Sequence, residues 1–184
     1  MGFTHTAAPG GFTVWLTGLS GAGKTTIGTL VASELERDGR LVEQLDGDIV
    51  REHLSAGLGY SRADRDTNIA RIGWVASRLT RAGVAVVVSA ISPYEEARRR
   101  ARRLIEPEGA FVEVFVAASV EECTRRDPKG LYARALRGDL PDFTGVTAPY
   151  EEPEAPELKL DTEVEEPAQS AAHVLDHLRR RKLV

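Results

Sequence analysis

Short apolar runs alternate along the chain with segments whose apolar positions recur three or four residues apart. The first pattern predicts buried β-strands and the second predicts amphipathic helices. The run at 84–88 is apolar without alternation, which is typical of a strand whose sheet is covered on both faces. Predicted strands cover 12–17, 41–45, 84–88, 111–117 and 158–160; predicted helices run from 24 to Gly39, from 62 to Gly83, and over 93–105, 120–126 and 167–181.

Strict alternation of strand and helix predicts an α/β fold: a parallel sheet of about five strands with helices on both faces. At 184 residues we expect a single domain over 1–184, with a loose start over residues 1–10. Residues 127–156 fit neither pattern and are rich in glycine and proline. A long irregular segment inside a compact domain is usually functional, so we predict a lid over about 127–150.

One motif defines a nucleotide site. It follows the first predicted strand and opens the first predicted helix, as a phosphate-binding loop requires. Backbone N–H groups of its glycines can surround phosphate oxygens, the lysine can reach the β- and γ-phosphates of ATP, and the threonine hydroxyl can hold Mg²⁺. This context predicts the three-layer sandwich of the P-loop NTPases. The motif comprises Gly18, Leu19, Ser20, Gly21, Ala22, Gly23, Lys24 and Thr25, and Thr26 follows as a cap or an α-phosphate contact.

A pair of carboxylates, Asp46 and Asp48, follows the second predicted strand. Ligands of doubly wound sheets gather at the carboxyl ends of the strands, so both side chains are expected near the phosphates. One of them could orient Mg²⁺ or act as a base toward a substrate hydroxyl. The alternative is a helix N-cap, which aspartate also favours.

Further candidates follow these carboxylates. Arg51, Arg65 and Asn68 suit an anionic second substrate, because guanidinium groups bind phosphate or sulfate in two-pronged fashion. Ser92, in the sequence Ser-Pro-Tyr-Glu, is interpreted mainly as the N-cap of a capping box. The run RRRARR at 98–103 is interpreted as a solvated helix face.

Charge is distributed unevenly. The net charge is −4, but residues 51–103 carry a net +6 and residues 142–168 a net −8. The acidic total and the lack of aromatic residues among the arginines argue against nucleic-acid binding. Cys123 is the only cysteine, and neither a signal peptide nor a spanning segment is visible, so we expect a cytoplasmic protein without membrane contact.

In the motifs along its length, from about Phe12 to Leu178, the chain resembles the adenylylsulfate kinase family. The resemblance implies that ATP donates its γ-phosphoryl group to the 3′-hydroxyl of adenosine 5′-phosphosulfate (APS), with Mg²⁺, in a homodimer. The phosphate loop alone is shared by many families, whereas the later motifs are more specific. The motifs are GLSGAGKTT at 18–26, LDGD at 45–48, GYSRADRDTN at 59–68, ISP at 91–93, RDPKGLY at 126–132, FTG at 143–145 and YEEPEAPEL at 150–158.

The resemblance also implies residue roles. Asp46 would lie near Mg²⁺ or the 3′-hydroxyl, Lys129 would neutralise charge at the reacting phosphates, and a loop over 163–167 would flank the ATP base. Tyr60, where the family has Phe, would stack on the acceptor adenine, with Phe143 on its other face. Residues implied to bind APS are Asp48, Arg51, Tyr60, Arg65, Asn68, Ile91, Ser92, Lys129 and Phe143, and Ser92 also matches a position described in the family as a phosphoserine intermediate.

Two other functions are compatible with the phosphate loop. Another small-molecule kinase, acting on a nucleoside monophosphate or a sugar acid, would share the fold, Mg²⁺ and lid. A nucleotide-dependent switch protein would need no pocket for a second substrate.

Overall fold

The structure is a computed structural model that describes residues 10–184; of the loose start expected at 1–10, residues 1–9 lie outside the described residues. Strands and helices alternate along the whole described chain. The strands are β1 (Phe12–Thr17), β2 (Val42–Asp46), β3 (Ala85–Ser89), β4 (Ala110–Ala117) and β5 (Leu158–Asp161); the helices are α1 (Lys24–Arg37), α2 (Gly47–His53), α3 (Arg62–Arg81), α4 (Glu95–Ile105), α5 (Val120–Arg126), α6 (Leu131–Leu136) and α7 (Pro167–Arg180).

The five strands form one parallel sheet in the order β2-β3-β1-β4-β5. Successive residues of β1 point to opposite faces: Phe12, Val14 and Leu16 pack into a core beneath α1 and α7, whereas Trp15 packs into a second core beneath α3 and α4. Two apolar cores explain why the strands lack alternation. The predicted α/β fold with helices on both faces is confirmed.

Two helices were not predicted. Helix α2 has seven residues and begins inside Asp-Gly-Asp, which has the composition of a turn. Helix α6 has six residues and interrupts the segment predicted to be a structureless lid. The carboxylate of Asp127 accepts hydrogen bonds from the backbone N–H groups of Tyr132 and Ala133, at 3.1 and 3.0 Å, and so stabilises the first turn of α6. Helices this short leave too few apolar repeats for a periodicity argument.

The capping box predicted at Ser92 is wrong. Helix α4 begins two residues later than predicted, and its N-cap, Tyr94, makes no side-chain cap. Instead, the Glu95 N–H donates to a carboxylate oxygen of Glu151 at 2.8 Å. A cap from 56 residues further along the chain leaves no local signal, and it frees the Ser92 hydroxyl for other contacts.

The solvated face predicted for RRRARR is wrong for Arg98, which is only 1% exposed, and incomplete for Arg102. Their partners include Glu113 on β4 and Glu157, and Arg99 pairs with a carboxylate of the same segment, Glu154. The basic helix α4 and part of the acidic segment 142–168 therefore neutralise each other. None of the helices in residues 10–184 is long and apolar enough to cross a lipid bilayer.

Candidate active site

The phosphate loop lies between β1 and α1, at the carboxyl end of the central strand. Gly18 has φ 150°, and a Cβ on it would lie 2.4 Å from the Val116 carbonyl oxygen, so only glycine fits there. Gly23 has φ 103° and begins α1 without a side-chain cap, which leaves the first N–H groups of the helix free for an anion. Thr25 and Thr26 are both exposed at this end.

Lys24 is 8% exposed, and its ammonium group donates to the carbonyl oxygens of Gly18 and Leu19, at 3.0 and 2.7 Å. Burial lowers the pKa of Lys24 to about 8, although the carboxylates of Asp46 and Asp48 act in the opposite direction. The Lys24 side chain therefore folds back onto the phosphate loop. Its buried positive charge is unfavourable until an anion binds beside it.

Thr25 and Asp46 are in direct contact. The Thr25 hydroxyl donates to Asp46 Oδ2 at 2.7 Å, and Asp46 Oδ1 accepts from the Asp48 N–H at 2.9 Å as the N-cap of α2. Asp46 is thus both a cap and a neighbour of the phosphate loop. A hydroxyl and a carboxylate are oxygen ligands of the kind that Mg²⁺ prefers. In residues 10–184 no three His, Cys, Asp or Glu side chains cluster to hold a metal.

Lys129 of the predicted lid forms an ion pair with Asp48, and both side chains are more than half exposed. An exposed pair contributes little to stability, so the lysine can exchange this carboxylate for a substrate phosphate at little cost. The contact brings the segment before α6 within reach of the loop's carboxylates.

Arginine and aromatic side chains gather on the other side of α2. Arg51 donates to the Gly59 carbonyl oxygen at 3.0 Å and lies over the ring of Tyr60, 4.5 Å from its centroid. Arg65, 7% exposed, donates to the Tyr60 carbonyl oxygen at 2.8 Å and also to the carbonyl oxygen of Asp142. Arg65 therefore bridges the segment of Tyr60 and the segment that leads into Phe143.

Asn68 lies three residues after Arg65 on α3, and Phe143 directly follows Asp142, whose carbonyl oxygen Arg65 contacts. Asn68 is 5% exposed, and its Oδ1 is buried without a hydrogen-bond partner among the described residues, a costly arrangement unless a ligand supplies a donor. The ring of Phe143 packs edge-on against Tyr132 with 5.0 Å between centroids.

Ile91 and Ser92 form a turn tied to the phosphate loop. The Ile91 carbonyl oxygen accepts from the Thr17 hydroxyl at 2.7 Å and from the Gly18 N–H at 3.5 Å. The Ser92 hydroxyl is fully engaged: it accepts from the Trp15 indole N–H at 3.0 Å and donates to the Ala90 carbonyl oxygen at 3.2 Å.

Three contacts of the phosphate loop were not predicted individually. The Tyr132 hydroxyl donates to the Ser20 carbonyl oxygen at 3.0 Å, the Thr162 hydroxyl to that of Ala22 at 2.9 Å, and Arg126 reaches that of Gly21 at 3.4 Å. Arg126 and Tyr132 are the ends of the motif RDPKGLY, which could have indicated them. Thr162, just before the loop at 163–167, carries no signal of its own.

Through Asp46 and Asp48 the phosphate loop is joined to a second cluster suited to an anionic, aromatic molecule. A nucleotide site with an adjoining acceptor site on this fold defines a P-loop kinase, an ATP-dependent phosphotransferase.

The chain belongs to the adenylylsulfate kinase family, whose model, described as Adenylylsulphate kinase, matches residues 10–161. It is 55% identical over 168 residues to the adenylyl-sulfate kinase of Picosynechococcus, covering 91% of this chain and 93% of the relative. The APS kinase of Mycobacterium tuberculosis, solved in complex with AMPPNP and APS, superposes with a TM-score of 0.90 at 43% identity, over 93% of this chain and 99% of that one. A hexameric APS kinase from Thiobacillus denitrificans matches at 39% identity and a TM-score of 0.74, over 96% of this chain but 30% of that one.

The lowered pKa of Lys24 predicts a pH-dependent affinity for nucleotide. Bound phosphates stabilise the charged lysine and raise its pKa, so above pH 8 binding of MgATP must take up a proton. Affinity is therefore expected to be constant below about pH 7.5 and to fall toward tenfold per pH unit above pH 8. Titration calorimetry at pH 7, 8 and 9, in buffers of different ionisation enthalpy, measures both the affinity and the proton. Equal affinity at pH 7 and pH 9 would show that the charge of Lys24 is not involved.

Proposed function

We propose that this chain transfers the γ-phosphoryl group of ATP to the 3′-hydroxyl of APS, yielding ADP and 3′-phosphoadenosine 5′-phosphosulfate. The observation that carries the proposal is the junction of two sites: Thr25 and Asp46 meet at 2.7 Å beside the phosphate loop, and Asp48, two residues on, pairs with the lid lysine, Lys129. Family membership agrees with this reaction.

On the donor side, residues 18–26 bind the ATP phosphates through their N–H groups, and Lys24 leaves its two carbonyl partners for the β- and γ-phosphates. Thr25 and Asp46 would hold Mg²⁺, which neutralises phosphate charge when bound. Asp46 would also accept a hydrogen bond from the acceptor hydroxyl.

On the acceptor side, Arg51 and Arg65 bind the phosphosulfate, and Asp48 and Asn68 Oδ1 accept hydrogen bonds from hydroxyl or amino groups of the acceptor nucleotide. Tyr60 and Phe143 lie on the two segments that Arg65 bridges, where they can flank the adenine. Ile91, in the turn at 90–92, would contact the acceptor.

A single domain with a lid over 127–150 suits this chemistry, because a closing lid excludes water that would otherwise hydrolyse ATP. Lys129 would move with the lid from Asp48 to the reacting phosphates. Transfer is then direct and in line, and it depends on positioning and charge neutralisation.

The Ser92 hydroxyl has no role as a phosphorylated intermediate in this proposal. It is 1% exposed, and both its donor and its acceptor capacity are used inside the protein. We expect Ser92→Ala to keep activity to within about thirtyfold, since its two neutral hydrogen bonds contribute about 1 kcal/mol each. Steady-state kinetics and protein labelling with γ-³²P-ATP measure this. Loss of all turnover together with loss of a labelled serine would contradict direct transfer.

A substrate panel distinguishes the proposed function from the two rivals. ADP release from MgATP is expected to rise strongly with APS and to stay at background with AMP, CMP or gluconate. Stimulation by AMP alone would identify a nucleoside monophosphate kinase, and hydrolysis that no acceptor stimulates would favour a switch protein.

We further propose a cytoplasmic homodimer that uses no nucleic acid. The outer face of α3 exposes Trp74, 59% accessible, next to Leu54, and a second subunit could cover this apolar area. Light scattering after gel filtration is expected to give twice the monomer mass of 20.0 kDa, and the mass of one chain would contradict it.

A further inference from the structure

The turn that faces the acceptor, residues 90–92, is held in an unfavourable backbone conformation. Ser92 has φ 40°, in the left-handed region that side chains other than glycine rarely adopt. Such a conformation persists only where its surroundings impose it. The Ser92 hydroxyl is held by Trp15 and Ala90, and its carbonyl oxygen accepts a hydrogen bond from Arg98 Nη1 at 2.8 Å.

Arg98 is a fully buried cation one and a half helical turns further on, in α4. Its Nε lies 3.0 Å from Glu113 Oε1, its Nη2 pairs with Glu95, and its guanidinium lies 5.8 Å from the ring centroid of Tyr150. Its Nη1 and Nη2 form hydrogen bonds with Ser92 and Glu95 at angles fixed by the planar guanidinium, which a lysine ammonium cannot reproduce, whereas its contact with Glu113 is an ion pair without hydrogen-bond geometry. Arg98 therefore connects the turn to the sheet, to its own helix and to the end of the lid.

The same network also reaches the donor side. The Tyr150 hydroxyl lies 2.9 Å from the Thr17 hydroxyl, which donates to the Ile91 carbonyl oxygen. Thr17 directly precedes Gly18 of the phosphate loop. The Glu151 N–H donates to the Pro93 carbonyl oxygen at 2.8 Å, so the chain leaving the lid also contacts the turn.

We propose that Arg98 is a positioning residue for the acceptor: it holds Ser92 in its left-handed conformation and so sets where Ile91 meets APS. This inference rests on the proposed function, because it concerns the acceptor side of that same site. Arg98 contacts the carbonyl oxygen of the turn and never the reacting atoms.

Arg102 supplies a matched control on the same helix. It pairs with the same carboxylate, Glu113, at 3.4 Å, and with Glu157 at 2.7 Å, and the structure gives it no bond to the turn. The effect of Arg102→Met on KM therefore measures what disturbing the ion pairs of α4 does by itself. The effect of Arg98→Met includes the same disturbance and, in addition, the release of the turn.

The experiment measures acceptor and donor affinity separately. Arg98→Met is expected to raise the KM for APS about tenfold or more while the KM for ATP stays within about twofold, because a displaced turn loses its contacts with the bound acceptor. Arg102→Met is expected to leave both within about twofold, and Arg98→Lys to recover part of the loss. If Arg98→Met does not fold, Arg98→Lys decides, with a KM for APS raised about threefold.

Tryptophan fluorescence measures the binding of APS independently of turnover. In a Trp74→Phe background Trp15 is the only tryptophan, and its indole N–H bonds Ser92 directly. APS is expected to change its fluorescence, with a half-saturating concentration that Arg98→Met raises by the same factor as KM. Equal effects on APS and ATP, an unchanged APS affinity, or an Arg102→Met variant that matches Arg98→Met would overturn the inference. Failure of the wild-type protein to turn over APS would instead overturn the proposed function.

Discussion

Replacing Lys24 by Met is expected to lower kcat by about 10³-fold or more, the largest single effect in the molecule. Lys24 is the only lysine within the phosphate loop, and its ammonium already lies among the backbone groups that surround the phosphates, 2.7 Å from the Leu19 carbonyl oxygen. Charge that develops on the transferring phosphoryl group would lose its nearest fixed cation. The measurement is the initial rate of ADP release at saturating MgATP and APS, with thermal unfolding to confirm folding.

Lys159→Met is the matched control for this substitution. Lys159 is exposed on β5, where its ammonium lies over the Phe115 ring at 5.4 Å, away from the loop. Its kcat is expected to stay within about twofold of the wild-type value. A Lys24→Met variant that is folded and retains a tenth or more of wild-type kcat would show that the phosphoryl group is stabilised elsewhere.

The second large effect is expected from Arg65→Met, which should raise the KM for APS about a hundredfold and leave the affinity for MgATP within about twofold. Two contributions add. The acceptor loses a charge-assisted partner for its phosphosulfate, and the segments of Tyr60 and Phe143 lose the bridge between them. Kinetics with APS and calorimetry with MgATP measure the two quantities.

Arg71→Met serves as the control, because Arg71 lies on the same helix and also donates to a backbone carbonyl oxygen, that of Leu54 at 3.0 Å. Unlike Arg65, it forms no hydrogen bond with residue 60 or 142, and both quantities are expected to remain unchanged. If Arg65→Met weakens ATP and APS equally, the residue supports the fold and does not recognise the acceptor.

The fold could be predicted because the two features that define it, the apolar strands and the phosphate loop, are each contained in a short stretch of sequence. Apolar runs such as 84–88 mark the buried strands, and the phosphate loop fixes the order of the first strand and helix. The short helices α2 and α6 could not be predicted, since seven and six residues contain too few apolar positions to show the helical repeat.

The donor half of the site follows from one contiguous motif, but the acceptor half is assembled from distant segments. Arg65 bridges residues 60 and 142, and the bond from Trp15 to Ser92 spans 77 positions. No spacing in a single sequence indicates such contacts. For the same reason Arg98 was assigned to a solvated face: its partner Glu113 lies on another element, and only the folded chain places the two together.

The position of the transferred phosphoryl group decides whether this protein phosphorylates the 3′-hydroxyl of APS. The protein is incubated with MgATP and APS, and the product is identified by mass spectrometry and ³¹P NMR, with 3′-deoxy-APS as a parallel acceptor. We expect a single added phosphoryl group on the ribose 3′-oxygen, an intact phosphosulfate, and no product from the 3′-deoxy analogue. Phosphorylation at any other position, or turnover of the 3′-deoxy analogue, would contradict it.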